Sequence, residues 1–151
     1  MKNQTLNFLK NNQLMSLATV GKNNLPQNSI LLYTVDEDFN LYFATDKTSR
    51  KFENLQYNPA VAITIWKNNN RSLQIEGKVS IVENANDVSV ILTKLAEAAV
   101  SEDPSLLPPI IRINRKADTV IFRIKVKQIR SLDLKNPTIK ENESPITIIE
   151  F

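Results

Sequence analysis

The segment 42–51 carries the residues best suited to chemistry, because it places hydroxyls and cations at the start of a predicted helix. Thr48 or Ser49 can cap that helix by accepting hydrogen bonds from the free N–H groups of its first turn. Arg50 and Lys51 follow, although a cation at a helix N-terminus is unfavourable by about 0.3–1 kcal/mol. A bound anion reverses this effect, since hydroxyls, N–H groups and two cations would then converge on one phosphate. The segment predicts a phosphate site, with a solvated basic helix start as the alternative.

The chain contains no cysteine and no histidine. Their absence excludes disulfides, thiolate catalysis, Cys-ligated metals, imidazole acid–base catalysis, His-ligated zinc and the usual proximal haem ligand. Any chemistry must therefore come from a cofactor, from carboxylate, Lys or Tyr side chains, or from the substrate itself.

The composition argues against nucleic-acid and membrane partners. The net charge is only +3 over 151 residues, and the basic residues of 123–130 alternate with apolar ones, as on the outward face of a half-buried strand. The apolar runs are too short to span a bilayer. The first residues lack the apolar stretch of a secretory signal, and the missing cysteines suit a reducing compartment. We therefore expect a cytoplasmic protein.

Hydrophobic periodicity and turn residues predict one domain, 1–151, with about three helices and six or seven strands. The helices are predicted at 5–11, 49–57 and 84–100. The strands are predicted at 14–20, 28–35, 41–45, 60–66, 71–83, 119–130 and 146–151. The segment 101–116 is predicted as a loop, and 132–145 as an extended or mobile segment. Short strands joined mostly by hairpins favour a small antiparallel barrel.

Several residues allow two interpretations from the sequence alone. Trp66 either stacks near a cofactor or packs in a core or an interface. Tyr33 and Tyr42 face either a cofactor or the core. The acidic residues 36–38 suggest a metal site or, more simply, a solvated hairpin turn. Gly77 indicates a bulge or a close backbone approach within its long strand.

Several segments, in matching order and spacing, resemble the pyridoxamine 5′-phosphate oxidase-like, FMN-binding split-barrel superfamily. They are Leu14-Met15-Ser16-Leu17-Ala18-Thr19-Val20, Pro26 ahead of a strand, Leu41-Tyr42-Phe43-Ala44-Thr45, Ser49-Arg50-Lys51, Asn58-Pro59, Ala60-Val61-Ala62, Trp66, and Arg71 through Glu76-Gly77. The resemblance covers residues 5–83, and the remainder agrees only in the order of its elements. It implies a mainly β, six- to seven-stranded antiparallel split barrel that forms a homodimer with two FMN sites at the subunit interface.

The resemblance also implies which residues contact the cofactor. The Ser-Arg-Lys segment would hold the FMN phosphate, with the end of the preceding strand beside it. The second strand would lie along the isoalloxazine ring. The position after Arg71, where the family has Gln, would contact the flavin from the partner subunit, and a second candidate lies two residues further along the same strand face. The predicted cofactor-binding residues are Ser29, Ile30, Leu31, Thr34, Ala44, Thr45, Ser49, Arg50, Lys51, Ser72 and Gln74.

The chain departs from the true oxidases at positions that matter for the substrate. Ser29 and Thr34 stand where those enzymes have Arg and Lys, and their C-terminal Arg-x-His motif cannot occur in a chain without His. The resemblance implies a flavin-dependent oxidoreductase, and these differences predict that its small-molecule substrate is not vitamin B6; its catalytic residues are unassigned. The alternatives are a reductase that uses the deazaflavin F420, a non-catalytic flavin-binding module, and a dimeric scaffold without cofactor.

Overall fold

The computed structural model describes residues 1–67, 70–103, 118–134 and 144–151, and it places them in one curled antiparallel sheet with three helices. The helices are α1 (Lys2–Lys10), α2 (Arg50–Tyr57) and α3 (Ala85–Glu102). The strands are β1 (Leu14–Val20), β2 (Pro26–Leu32), β3 (Thr34–Val35), β4 (Leu41–Asp46), β5 (Ala60–Lys67), β6 (Arg71–Ile81), β7 (Thr119–Asp133) and β8 (Ile146–Glu150). Residues 104–117 and 135–143, which hold most of the predicted loop and of the predicted segment 132–145, lie outside the described residues.

The strands follow the order β2-β1-β5-β6-β7-β4-β3, and β8 pairs with β7 beside this path. Burial alternates along β1, β4 and β5, so the sheet has an inward face that forms the core and an outward face. The predicted mainly β, antiparallel split-barrel architecture with three helices is confirmed. Several predicted boundaries shift by two or three residues: α1 begins at Lys2 rather than at residue 5, α3 extends to Glu102, into the predicted loop, and β7 extends to Asp133 rather than to residue 130.

The predicted strand 28–35 is two strands, β2 and β3, which raises the strand count of the described residues to eight. The interruption lies at Tyr33, a fully buried residue. Its N–H donates to the backbone oxygen of Gln13 at 2.9 Å, and its hydroxyl donates to the backbone oxygen of Leu9 at 2.8 Å. Tyr33 thus interrupts the strand ladder and holds the end of α1 in place. No local sequence pattern predicts this interaction.

The inward face forms a continuous apolar row across five strands. Leu17, Ile63, Ile75, Ile129 and Ile149 are successive partners in register from β1 to β8, and all are buried. Fully burying a side chain of this size stabilises the fold by about 1.5–3 kcal/mol. Ile149 completes this row, so the last strand of the chain docks on the sheet through its pairing with β7.

A β-bulge interrupts the long β6–β7 ladder at Gly77. Glu76 pairs with Gln128 and Gly77 pairs with Val126, which leaves Lys127 as the extra residue of β7. A Cβ atom on Gly77 would lie 2.7 Å from a backbone oxygen of β7. Both sequence-based interpretations of this glycine, a bulge and a close backbone approach, are therefore correct.

Side chains cap the first turns of α2 and α3. Ser49 caps α2, and Asn84 caps α3 by accepting from the N–H groups of residues 86 and 87 at 3.0 and 3.1 Å. Asn58 ends α2 in an extended conformation, with φ −136° and ψ 109°, as a residue before proline prefers. Among the described residues, the helices are too short or too polar to cross a lipid bilayer.

Candidate cofactor site

The candidate site is centred on the tight turn that joins β4 to α2. The Asp46 carboxylate accepts hydrogen bonds from the Thr48 N–H and from the Thr48 hydroxyl, both at 2.8 Å. The Ser49 N–H donates to the backbone oxygen of Asp46 at 3.0 Å. These bonds fix the path of the chain into α2, so that the helix N-terminus has a defined position at the end of β4.

Two hydroxyls meet at this turn. The Ser49 side-chain oxygen accepts from the Phe52 N–H at 3.2 Å and lies 2.9 Å from the hydroxyl of Thr45. Thr45 is buried and belongs to the inward face of β4. Ala44, its predicted companion, lies on the opposite face and packs against the buried cluster of Ile91 and Ile121. Of the two strand residues, the structure therefore joins only Thr45 to the cap.

The two cations of the Ser-Arg-Lys segment have different surroundings. The Gln27 side-chain amide, with its oxygen turned towards Arg50, accepts from the guanidinium Nε at 3.1 Å and from Nη2 at 3.2 Å. Arg50 is thereby tied to the neighbouring strand β2. Lys51 is half-buried beside it. The positive charge at the start of α2 is therefore partly fixed in position by β2.

Two further lysines lie at the same helix start: Lys47, within the segment 42–51, and Lys22, which the sequence did not point to. Lys22 and Lys47 line a cavity of about 560 Å³ together with Thr48 and Ser49. Lys22 reaches this place because the β1–β2 turn packs tightly against α2: a Cβ atom on Gly21 would lie 2.5 Å from Asn54 Oδ1. The start of α2 therefore has four cations near it, the two lysines of the cavity and Arg50 and Lys51 of the helix itself, against one carboxylate of the lining, Glu53. An excess of positive charge of this kind favours an anion.

The predicted residues of the second strand do not share one face. Ser29 and Leu31 are half-buried on the inward side of β2, whereas Ile30 points outward and is 66% exposed. Thr34 lies beyond the interruption, at the start of β3, where it pairs with Tyr42. Ser29 and Leu31 are thus the residues of β2 that share the side of Gln27, the partner of Arg50.

Ser72 and Gln74 lie on the outward face of β6. Gln74 belongs to a cross-strand row in which Ile30, Ser16, Thr64 and Gln74 are successive partners on β2, β1, β5 and β6. Neighbouring strands lie about 4.8 Å apart, so Gln74 is about 14 Å from Ile30 along this row. Within one chain, Gln74 therefore does not join the cluster at the start of α2.

Trp66 also lies on the outward face, where it pairs with Ser72. It is 65% exposed. This exposure excludes a core position for Trp66. The two other interpretations from the sequence, packing in an interface and contact with a cofactor, stay open. Leu14 and Ile30 line a shallow cavity of about 350 Å³ together with this tryptophan, so the outward face carries an apolar patch at the β1–β2 edge.

A further cavity, of about 440 Å³, lies between α3 and the strands β3, β4, β6 and β7. Thr34 and Tyr42 line it from the strands, Lys94 from α3, and Arg123 from β7. Arg123 donates to the side-chain oxygen of Asn40 at 3.2 Å. The sequence treated Arg123 only as an outward-facing strand residue, because nothing local shows that α3 packs across this part of the sheet.

Asp36 and Tyr42 form a polar pair at the edge of this cavity beside α3. The Tyr42 hydroxyl donates to the Asp36 carboxylate at 2.9 Å, and the Asn40 side chain and N–H donate to it at 2.8 and 2.9 Å. Burial acts to raise the pKa of Asp36, but these hydrogen bonds outweigh it, and the pKa lies below its usual value. Burial, followed by the bond to Asp36, raises the pKa of Tyr42 to about 12.

The Asp36 interactions favour the solvated-turn interpretation of the acidic loop over a metal site. Its carboxylate is satisfied by its own hairpin, including the Asp38 N–H at 2.9 Å. In the parts of the chain that the structure describes, no group of three or more acidic, His or Cys side chains is placed to hold a metal ion.

The sequence comparisons point to one family. A family model described as pyridoxamine 5′-phosphate oxidase matches residues 1–133. The pyridoxine/pyridoxamine 5′-phosphate oxidase of Chromobacterium violaceum is 39% identical over 69 residues, which cover 45% of this chain and 32% of that protein. The match thus spans about a third of that relative's length.

Solved structures share the architecture. The haem storage protein HutZ of Vibrio cholerae is similar at a TM-score of 0.67 and 18% identity, covering 84% of this chain and 91% of HutZ. An F420 reductase is similar at a TM-score of 0.65 and 27% identity, covering 82% of this chain and 93% of the reductase. The same fold therefore occurs in proteins whose names refer to different cofactors.

Proposed function

Because the chain belongs to the pyridoxamine 5′-phosphate oxidase family, we propose that it binds FMN and acts as a flavin-dependent oxidoreductase on a small molecule. The observation that best supports FMN is the β4–α2 junction, where the hydroxyls of Thr45 and Ser49 meet at the N-terminus of α2. Hydroxyls, helix N–H groups and cations are the donors that a phosphate requires. Bound FMN would supply the hydride and electron transfer that the side chains of this protein do not provide.

The residues around the junction have separable tasks in this proposal. The Ser49 hydroxyl and the first N–H groups of α2 would bind the phosphate oxygens. Lys51, with Lys22 and Lys47 from the adjoining cavity, would neutralise the phosphate charge. Arg50 would add a cation and also hold β2 at a fixed distance from the helix, through its contact with Gln27. The inward residues of β2, Ser29 and Leu31, would then lie beside the isoalloxazine ring.

We further propose that the protein is a homodimer whose outward faces complete the flavin sites. Ser72 and Gln74 are on the outward face, about 14 Å along the sheet from β2, so they would reach a flavin only in the other subunit. The apolar patch at the β1–β2 edge supports an interface on this face: Ile30 is 66%, Trp66 65% and Leu14 38% exposed. A patch of this kind is usually covered by a partner.

The substrate would enter the cavity between α3 and β3–β4. This cavity has about 440 Å³, enough for a small molecule, and Thr34 forms part of its wall. Its charged walls combine the cations of Lys94 and Arg123 with the carboxylates of Asp36 and Asp87. We expect a substrate with both polar and charged groups, and not pyridoxamine 5′-phosphate, because Ser29 and Thr34 replace the Arg and Lys of the true oxidases.

F420 is the second candidate cofactor. The 27% identity to an F420 reductase over 82% of the chain favours it, together with the neutral residues at positions 29 and 34. F420 also carries a phosphate, so it could use the same helix N-terminus. The two cofactors differ in their ring and tail, and the residues at the helix start alone do not discriminate between them.

The experiment that tests the proposal is a titration of the purified full-length chain with FMN and, in parallel, with F420. FMN fluorescence should be quenched with a stoichiometry of one per chain, and mass spectrometry should identify any cofactor that co-purifies. Reduction of the bound flavin by NAD(P)H, followed by turnover with candidate acceptors, distinguishes an enzyme from a binding module. A protein that takes up neither FMN nor F420 would contradict the proposal and favour a scaffold without cofactor.

A further inference from the structure

Another cavity lies on the outward face of the sheet, away from the candidate cofactor site. It has about 610 Å³. Its floor consists of small apolar residues, Ala18 on β1 with Ala60 and Ala62 on β5, and Ala18 and Ala62 are direct cross-strand partners. None of the residues that line it belongs to the β4–α2 junction or to the cavity beside α3. The small side chains of the floor leave a concave apolar surface open to a ligand.

Three lysines stand at the rim of this cavity. Lys78 on β6 and Lys125 on β7 are direct cross-strand partners, and like charges in this arrangement destabilise a sheet. The β-bulge opposite Gly77 inserts Lys127 into β7, and Lys127 lines the same cavity. Within the described residues, no carboxylate forms an ion pair with any of the three. Glu76 is the acidic residue of the lining, so the rim carries more positive than negative charge.

We propose that this cavity binds a small amphiphilic anion, with an apolar body on the alanine floor and a phosphate, sulfonate or carboxylate group between Lys78 and Lys125. Such a ligand would reduce the repulsion between the paired lysines. Contact with a second copy of the chain at this place would bury the three lysines, which is costly unless carboxylates pair with them. This site is separate from the proposed flavin site and does not depend on it.

The test uses 1-naphthyl phosphate as the probe, with 1-naphthol and inorganic phosphate as its separate halves. Binding is measured by isothermal titration calorimetry on the full chain. Saturating FMN is added so that the probe cannot bind at the β4–α2 junction. If FMN does not bind, the variant R50A/K51A is used instead, because it lacks the two cations at that junction. We expect the whole probe to bind at least about tenfold more tightly than either half, since apolar contact and charge attraction act together.

Substitutions locate the binding. K78Q/K125Q should weaken the probe by about tenfold or more, because the anionic group loses both flanking cations. Its melting temperature should equal or exceed that of the wild type, since a like-charge pair is removed, and this excludes unfolding as the cause. A62L should weaken binding of the probe, because the larger side chain fills the space above the floor of the cavity. K67Q is the matched control, because Lys67 is an exposed lysine of β5 outside this cavity, and it should bind as the wild type does.

Three outcomes would overturn the proposal. The first is equal binding of the probe to the wild type and to K78Q/K125Q. The second is binding of 1-naphthol as tight as that of 1-naphthyl phosphate, which would mean an apolar site without charge recognition. The third is no binding of the probe combined with a change of oligomeric state in K78Q/K125Q, which would assign this face to contact between copies of the chain.

Discussion

The side-chain oxygens of Thr45 and Ser49 lie 2.9 Å apart, although Thr45 ends a buried strand and Ser49 begins a helix. Thr45 is fixed by its position in β4, where it pairs with Val120 of β7. The hydroxyl contact therefore fixes the position of the helix cap relative to the sheet. The two hydroxyls of the proposed phosphate site are thus held in place without a ligand, which would reduce the cost of ordering on binding.

Ser49→Ala should affect both the fold and the ligand. Loss of the cap should lower the free energy of unfolding without ligand by about 0.5–2 kcal/mol, because the Phe52 N–H loses its acceptor. The same variant should bind FMN more weakly. Ser49→Thr, which keeps a capping hydroxyl, is the control and should retain most of both properties. Urea unfolding and an FMN titration measure the two effects, and a Ser49→Ala variant as stable as the wild type would refute the capping role.

Gly77→Ala should be more destabilising than Gly21→Ala. At Gly77 the added Cβ would meet a backbone oxygen of Lys125 at 2.7 Å and a methyl group of Ile124 at 2.8 Å, both within the sheet. Overpacking of this kind costs about 1–3 kcal/mol. At Gly21 the closest atom, at 2.5 Å, belongs to the side chain of Asn54, which can rotate away. Thermal unfolding of the two variants tests the order, and the reverse order would contradict the bulge geometry.

Asp36 should stabilise the protein in a pH-dependent way. Its pKa in the folded state lies below the ordinary value of 3.8, so its contribution is present above about pH 4 and is lost as the pH falls through the folded value. Asp36→Asn should therefore be less stable than the wild type at pH 7, and the difference should shrink in acid. Asp38→Asn, on the same loop, is the control and should cost less at pH 7. A difference for Asp36→Asn that stays constant between pH 7 and pH 3 would contradict the assignment.

Trp66→Glu should dissociate the proposed dimer. The indole is 65% exposed on the outward face, and a carboxylate there would be buried without a partner in an interface. Leu25→Glu is the control, because Leu25 is 64% exposed but lies before β2, in the β1–β2 turn. Sedimentation analysis should show a monomer for the first variant and a dimer for the second and for the wild type. A wild-type monomer would remove the basis for a shared flavin site.

Local sequence signals were sufficient for much of the fold. Alternation of apolar residues located the strands, the hydroxyl before Arg50 located the start of α2, and Gly77 located the bulge. These features depend on neighbours along the chain or on one backbone contact. The strand break at Tyr33 depends instead on hydrogen bonds to Leu9 and Gln13, some twenty residues away, and no pattern near Tyr33 indicates it.

The candidate site was predictable in part. The Ser-Arg-Lys segment and Thr45 are close in sequence, and the structure places Thr45 and Ser49 in contact. Ala44 was grouped with Thr45, although the period of two in a strand already assigns the two side chains to opposite faces. Lys22 was missed because it reaches α2 through the packing of the β1–β2 turn, which is a tertiary contact. The role of the site residues in binding a cofactor remains a prediction.

The central claim is that the start of α2 binds the phosphate of FMN, and its most direct test compares FMN with riboflavin, which lacks the phosphate. Affinity for both is measured by fluorescence quenching on the wild type, on R50A/K51A, and on K10A/K67A, which removes two exposed cations elsewhere. R50A/K51A should bind FMN at least about tenfold more weakly, since each cation contributes a charge-assisted contact, while its affinity for riboflavin should change little. K10A/K67A should bind both ligands as the wild type does. Equal losses of FMN and riboflavin in R50A/K51A would show that these residues do not hold the phosphate and would contradict the claim.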